Sequence, residues 1–332
     1  MAQIVLGMGS SHGPMLSTPP DQWDARVPAD KKAMHPFEGR EWSFDALAEH
    51  RKNEGLAAQI TPELWKSRYA ACRAAISELA RVFHEAKPDV AVIFGNDQKE
   101  IFKGPVNPAL AVFTGEKIVN SMYDEERIAK LPPGVAVGIP GHIPPQGATY
   151  RGEPQLGRHI VSGLMRENFD VTTVAEMPGD ETPHAYGFLY RQIMLDEPVP
   201  SVPIILNTFY PPNQPSVHRC YAMGQAVVRA IKAWKDDVRV ALMASGGLTH
   251  FVIDERVDRE VLEAMATGDV DRIAALGDAT FQSGTSEIKN WVPLAGAMAE
   301  LGYEMKIVDY VPCYRSVAGT GNAMAFVYWV PK

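Results

Sequence analysis

The sequence predicts an α/β fold, a layered sandwich in which a central mixed β-sheet is flanked by helices on both faces. Two observations predict it. Short apolar segments alternate with amphipathic segments of helical period along the 332-residue chain. In addition, segments such as residues 90–95 are apolar throughout rather than at every second position, which is typical of strands covered on both sides.

The clearest single element is a helix over residues 61–86. Thr61 is a good N-cap, Pro62 suits the first helical position, and Pro88 follows the end. Five further helices are predicted at residues 154–168, 217–234, 255–265, 269–276 and 287–301. Strands are predicted at residues 3–7, 90–95, 110–114, 171–175, 203–209, 238–244, 306–311 and 323–329.

Two long stretches have no regular pattern. Residues 17–55 are rich in charged and aromatic side chains, and residues 130–156 are rich in Pro and Gly. Loops of this length inside a compact domain are often lids or binding loops. No linker composition marks a domain boundary, so residues 1–332 are expected to form a single catalytic domain.

Composition excludes several classes of protein. The formal net charge of −8 and the lack of a basic stripe argue against a nucleic-acid or anionic-membrane partner. Three cysteines without CxxC spacing indicate neither a zinc ribbon nor a disulfide framework. With neither a signal-peptide pattern nor a transmembrane-length apolar run in the sequence, a cytoplasmic protein is expected.

Polar residues follow several of the apolar segments, and these are the candidates for chemistry. Strand ends at one edge of a sheet can bring such residues together into a metal or acid–base site. The candidates are His12 in Ser10-Ser11-His12, the corner Asn96-Asp97-Gln98, His184 after Pro183, His250 after Gly246-Gly247, and Glu287 after Ser283-Gly284-Thr285-Ser286.

Each candidate also has an ordinary structural explanation. His12 could be a turn histidine bound to backbone, and His184 and His250 could be satisfied structural histidines. Glu287 falls in the first turn of a helix, where a carboxylate complements the helix dipole. Imidazoles titrate near neutral pH, so His184 and His250 could equally serve as general acids or bases.

Taken together, the motifs resemble the class III extradiol ring-cleavage dioxygenases, the superfamily of the protocatechuate 4,5-dioxygenase catalytic subunit. The resemblance rests on SSHGP at residues 10–14, Asn96-Asp97, NTFYPP at 207–212, Arg219-Cys220, GGLTH at 246–250 and Glu287 before Trp291. Within that superfamily, GMGSSHGPMLSTPP at residues 7–20 and SGTSEIKNW at 283–291 are most similar to the 3-O-methylgallate 3,4-dioxygenases. The ring-cleaving dihydroxypyridine (3-hydroxy-4-pyridone) dioxygenases are also similar.

The resemblance implies a non-haem Fe(II) held by two histidines and a glutamate, with open positions for a catecholate and O₂. His12 matches the first histidine ligand and Glu287 the glutamate. His250 matches the acid–base histidine, and His184 matches a second pocket histidine.

One position departs from the family pattern, because Gln98 stands where a histidine ligand is usual. Three alternatives are open: Gln98 itself is a ligand, directly or through water; another residue, such as His50 or Glu100, reaches the metal; or the metal is bound weakly. In the last case the chain would be a ligand-binding relative without ring-cleaving activity.

The resemblance implies a small aromatic substrate and O₂ as partners, and a homodimer or higher homo-oligomer is the default assembly. Tyr210 and Arg315 are candidates for substrate binding, with Lys289 and Arg219 as further cations for a carboxylate. The chain exceeds the family's catalytic subunit, so an N-terminal insertion at about residues 17–60 is expected to act as a lid. A hydrolase using another divalent metal is a third alternative.

Overall fold

A nine-stranded mixed sheet forms the centre of the structure, a computed structural model that describes residues 1–131 and 134–332. The strands within those residues are β1 (Gln3–Ser11), β2 (Met34–Phe37), β3 (Arg40–Ser43), β4 (Val90–Asn96), β5 (Leu110–Phe113), β6 (Lys117–Asn120), β7 (Ala148–Arg151), β8 (Thr172–Val174), β9 (Ser201–Leu206), β10 (Arg239–Gly246), β11 (His250–Val252), β12 (Glu304–Tyr314) and β13 (Thr320–Val330). The α-helices are α1 (Val27–Asp30), α2 (Phe44–His50), α3 (Pro62–Ala86), α4 (Glu125–Ala129), α5 (Pro154–Arg166), α6 (His184–Phe188), α7 (Val217–Lys232), α8 (Glu255–Thr267), α9 (Val270–Ala275) and α10 (Ile288–Leu301).

The strand order across the sheet is β11-β13-β1-β10-β4-β9-β5-β8, and β12 pairs with β13. The four central strands β1, β10, β4 and β9 run parallel. β13 is antiparallel to β1, and β5 is antiparallel to β9, so the sheet is mixed as predicted. Two hairpins lie outside it, β2–β3 and β6–β7.

Helices cover both faces of this sheet, which confirms the predicted layered α/β architecture. In β4 the side chains of Val92 and Phe94 pack into the core beneath α5, α7 and α10. Ala91 and Ile93 pack into the opposite core, beneath α3 and α6. All of β4 is buried, and this explains why its sequence is apolar throughout rather than alternating.

The predicted elements are present with shifted ends. α3 begins after Thr61, whose hydroxyl accepts a hydrogen bond from the backbone N–H of Leu64 at 3.3 Å. The two C-terminal strands, β12 and β13, extend beyond their predicted ranges because they pair with each other along most of their length. Among the helices described in residues 1–131 and 134–332, none combines the length and apolar character that a membrane span requires.

A buried ion pair fastens the N-terminal segment, which we define as residues 14–60, to the rest of the fold. Arg315 follows β12, and its Nε and Nη2 donate to the two carboxylate oxygens of Asp30 at 2.7 and 2.9 Å. The hydroxyl of Thr320 also donates to Asp30. The N-terminal segment is therefore held against the loop between β12 and β13.

Candidate functional site

The candidate site lies at the carboxyl ends of three adjacent parallel strands. β10 lies between β1 and β4, so the residues that follow these strands meet at one edge. The backbone N–H of His12, after β1, donates to the carbonyl of Gly246 at the end of β10 at 3.0 Å. Gln98 follows β4 at the same edge and lines the same cavity as His12. The predicted convergence of these segments is present.

Three ligand atoms converge at this edge. His12 Nε2 lies 3.0 Å from Glu287 Oε2 and 3.1 Å from His184 Nε2. One ligand atom from each of the three residues lies within 4.8 Å of the other two. His12 and Glu287 are buried and His184 is partly buried. Two imidazoles and one carboxylate at this spacing can hold a divalent transition metal.

The second ring nitrogen of each of these histidines already has a partner. His12 Nδ1 lies 2.9 Å from Ser245 Oγ. His184 Nδ1 lies 2.9 Å from Glu100 Oε1, which also accepts the backbone N–H of His184 at 2.9 Å. Outer partners of this kind fix the ring orientation of metal-binding histidines. Both Nε2 atoms are thus aimed at the point that Glu287 also faces.

Glu287 presents one bound and one available carboxylate oxygen. Its Oε1 accepts hydrogen bonds from Gln98 Nε2 at 2.5 Å and from Asn96 Nδ2 at 3.1 Å. Its Oε2 is buried and accepts no well-aligned hydrogen bond from any residue in 1–131 or 134–332. A buried carboxylate oxygen facing two imidazole nitrogens fits a metal ligand, because burial without a partner is otherwise costly.

Gln98 therefore lies in the cluster, but its contact is with the carboxylate. The amide nitrogen of Gln98 orients Glu287, while the third converging ligand atom belongs to His184. His50, one of the alternatives from the sequence, lies elsewhere: it pairs with Glu38 at 3.3 Å and stacks on Trp42. Glu100 is close to the cluster and holds His184.

His250 faces the same carboxylate with a ring nitrogen that has no hydrogen-bond partner in the described part of the chain. Its Nδ1 lies 2.8 Å from the carbonyl oxygen of Leu248, to which only a protonated Nδ1 can donate. That leaves Nε2, 3.6 Å from Glu287 Oε2, to accept a proton. A Cβ at Gly284 would lie 2.3 Å from the ring of His250, so only glycine leaves room for this imidazole.

The buried charges influence one another strongly. Burial opposes ionisation of Glu287, yet the facing His12 holds the pKa of that carboxyl well below its usual range. Burial lowers the pKa of His12. For His184, burial also favours the neutral form, but the adjacent Glu100 carboxylate outweighs it and raises the imidazole pKa. Perturbed titratable groups in a cleft are typical of functional sites.

The cluster opens into a cavity of about 430 Å³, within the usual size range of small-molecule sites. Two covering stretches, which had no regular pattern in the sequence, contribute to its wall: the N-terminal segment supplies Arg26, and residues 134–142 supply His142. Burial lowers the pKa of His142 to about 3. Neither residue could be selected from the sequence, because both lie in stretches without a motif or a regular pattern. Other lining residues are Pro14, Lys99, Tyr123, Arg127, Leu131, Ile139, Phe188, Phe251 and Asn322.

Two residues predicted to bind substrate lie outside the cavity wall as described for residues 1–131 and 134–332. Arg315 is 2% exposed and bound to Asp30, so its charge is neutralised within the fold. Tyr210 contacts Lys99, whose ammonium is 4.6 Å from the centre of the tyrosine ring. Lys99 itself lines the cavity.

Comparison with known proteins gives three findings. Residues 61–327 match the family described as the catalytic LigB subunit of aromatic ring-opening dioxygenase. The chain is 37% identical over 124 residues to the gallate dioxygenase of Pseudomonas putida KT2440. That match covers 36% of this chain and 34% of the relative, so it spans about a third of the relative's length. A crystal structure of an uncharacterized Escherichia coli K12 protein aligns over 98% of this chain and 99% of its own, with a TM-score of 0.46 and 14% identity.

Proposed function

Because this chain belongs to the family of the catalytic LigB subunit of aromatic ring-opening dioxygenases, we propose that it is an Fe(II)-dependent extradiol dioxygenase that opens a hydroxylated aromatic ring with O₂. The convergence of one ligand atom each from His12, His184 and Glu287 within 4.8 Å of one another is the observation that carries this proposal. Two histidines and one carboxylate are the ligand set of non-haem Fe(II) oxygenases. When bound, Fe(II) would supply the redox chemistry through which O₂ reacts with an aromatic diol.

We assign the third ligand position to His184 rather than to Gln98. An imidazole is a stronger donor to Fe(II) than a neutral amide oxygen, and the Gln98 amide nitrogen already binds Glu287. A metal ion would replace the proton that Glu100 favours on His184, since ligating histidines must be neutral. Gln98 and Asn96 then hold the carboxylate of Glu287 in position.

His250 is the proposed acid–base residue. Its Nε2 faces the cavity beside Glu287 and, with Nδ1 donating to Leu248, it is free to take a proton from a phenolic hydroxyl and to return it to the product. Phe188 and Phe251 supply apolar surface for an aromatic ring.

The substrate class we propose is a gallate or catechol carboxylate, with 3-O-methylgallate first. The partial match to a gallate dioxygenase supports this class. A dihydroxypyridine such as 3-hydroxy-4-pyridone is the alternative, because it offers the same pair of adjacent ring oxygens. We further propose that the N-terminal segment serves as the lid, since Pro14, Ser17 and Arg26 line the cavity.

Oxygen consumption by protein loaded anaerobically with Fe(II) tests the proposal. The panel is 3-O-methylgallate, gallate, protocatechuate and 3-hydroxy-4-pyridone. Uptake of one O₂ per ring, with loss of the aromatic absorbance, is the expected result. Iron binding without O₂ uptake on any member of the panel would instead indicate a ligand-binding relative, and turnover without O₂ would indicate a hydrolase.

Iron content of purified variants tests the ligand assignment independently of turnover. We expect His12→Ala, His184→Ala and Glu287→Ala to lose both iron and activity, whereas Gln98→Ala retains most of its iron. His84→Ala, at an exposed position on α3, is the control. Retention of iron by His184→Ala together with its loss in Gln98→Ala would return the third position to Gln98.

A further inference from the structure

Among the cations of the cavity wall, Arg26 is the one that is partly buried and has no ion pair within residues 1–131 and 134–332. Arg127 Nη2 binds Glu181 Oε2 at 2.8 Å, and Lys99 is exposed with its ammonium above an aromatic ring. Arg26 is only partly exposed, and within residues 1–131 and 134–332 it has neither an ion pair nor a side-chain hydrogen bond. None of its five N–H donors has an acceptor among those residues, so they can bind a molecule in the cavity.

Asp30, a carboxylate whose charge acts on Arg26, cannot neutralise it fully. Both carboxylate oxygens of Asp30 are bound by Arg315, and Thr320 donates to the same carboxylate. Burial and the neighbouring positive charge of Arg315 lower the pKa of Arg26, against a smaller opposing effect of Asp30. A partly desolvated guanidinium beside a second guanidinium gains stability from an added anion.

The rest of the wall suits an aromatic ring rather than an inorganic anion. Apolar side chains surround the space between the covering stretches and the sheet edge, namely Pro14, Leu131, Val135, Ile139, Phe188 and Phe251. The metal-ligand candidates His12, His184 and Glu287 line the same cavity. One cavity thus combines a site for ring hydroxyls, apolar walls and a partly buried arginine that has no ion pair within the described part of the chain.

We propose that Arg26 binds the carboxylate, or another anionic substituent, of the aromatic substrate and so sets a preference for anionic over neutral rings. The proposal rests on the proposed function for the identity of the ring. The planar guanidinium can bind a carboxylate through two parallel hydrogen bonds, which fixes ring orientation as well as position. Arg26 precedes residue 61, where the family match begins, so this specificity would come from the N-terminal segment.

Matched substrates and variants test this assignment. Arg26→Gln is compared with Arg40→Gln, which removes an exposed arginine from β3 of the same segment. The substrate pairs are gallate with pyrogallol and protocatechuate with catechol, which differ only in the carboxylate. We expect Arg26→Gln to raise KM for the carboxylated member roughly 10- to 100-fold, as for a lost charge-assisted pair, and to change the other member less than about twofold.

Equilibrium binding separates failure of this inference from failure of the proposed function. Calorimetry with gallate and pyrogallol, on oxygen-free protein, requires no turnover. Selective weakening of gallate binding in Arg26→Gln supports the inference even if no O₂ is consumed. Equal effects on both ligands, no effect, or no gallate binding by the wild type would overturn it. If Arg26→Gln does not fold, Arg26→Lys replaces it in the test. Lysine keeps the positive charge but lacks the two parallel N–H donors of the guanidinium, so this variant should still weaken gallate binding selectively.

Discussion

His250 is the residue whose role can be separated most sharply from metal binding. Its Nδ1 is occupied by the carbonyl of Leu248, and its ring is not one of the three converging ligands. We therefore expect His250→Ala to retain iron while kcat falls by roughly 10²- to 10⁴-fold, the usual contribution of a positioned acid–base group. Iron content and steady-state O₂ uptake are the two measurements.

Gly284→Ala provides a related test that leaves the imidazole in place. The added Cβ would lie 2.3 Å from the ring of His250 and 2.4 Å from its carbonyl oxygen, so the imidazole must move. Activity should fall while iron content is preserved, as for His250→Ala. Loss of iron from His250→Ala would mean that His250 is a ligand or supports one, contrary to the acid–base assignment.

The positions of individual candidate residues could be predicted from the sequence where local backbone structure determines them. His12 and His250 follow strands and Glu287 begins a helix, so their positions are set by local structure and by the parallel sheet. The partners of long polar side chains could not be predicted in this way. Arg315 was expected to bind substrate, but its partner Asp30 lies 285 residues away, and only the folded chain shows that its charge is already neutralised.

The ion pair between Arg315 and Asp30 stabilises the contact between the N-terminal segment and the β12–β13 loop. Both side chains are almost fully buried, so removal of one leaves an uncompensated buried charge. Arg315→Ala should reduce the free energy of unfolding by about 3–5 kcal/mol. It should also speed proteolytic cleavage within residues 14–60. Chemical denaturation and limited proteolysis measure the two effects.

A double variant provides the control for that prediction. Replacing both Asp30 and Arg315 by apolar residues of similar volume removes the charges together, and such replacements are often close to neutral. We expect Asp30→Leu with Arg315→Met to recover most of the lost stability. Unchanged stability in Arg315→Ala, with a selective rise in KM for carboxylated rings, would favour the substrate-binding role that the sequence suggested.

Secondary structure was predictable where burial dictates composition. β4 and β10 are buried on both faces, so their apolar sequences identify them, and α3 carries both its cap and its amphipathic period. The hairpins β2–β3 and β6–β7 were not predicted. Their strands have four residues each and include exposed positions, so they lack the long apolar run on which the prediction relies.

The cavity is lined in part by stretches of the chain whose positions cannot be predicted from the local sequence pattern. The sheet edge supplies the histidines and the carboxylate, and the sequence located this edge through the strand ends. The covering stretches supply Arg26 and His142, and neither stretch has a period that fixes its position. Their placement follows from tertiary contacts, namely the Arg315–Asp30 pair for the N-terminal segment and, for the second stretch, the hydrogen bond that Asn120 Nδ2 donates to the carbonyl of His142 at 2.8 Å.

Asp258 makes the stability of the whole molecule dependent on pH. This carboxyl, in α8, is buried and binds Thr249 next to the site and Tyr310 of β12. Burial raises its pKa from 3.8 to about 7, although those hydrogen bonds oppose the shift. Between about pH 4 and 7 the folded protein therefore holds a proton that the unfolded chain has released, so this contribution to stability is lost as pH rises through that window.

Asp258→Asn removes this titration while keeping an acceptor oxygen for Thr249. Other histidines and carboxyls titrate nearby, so the informative quantity is the difference in free energy of unfolding between wild type and variant, measured by denaturation at pH 5 and pH 8. The wild type should lose up to about 3 kcal/mol relative to the variant over that interval. A difference that stays constant with pH would mean that Asp258 is ionised in the folded protein throughout, and that its three hydrogen bonds outweigh the cost of its burial.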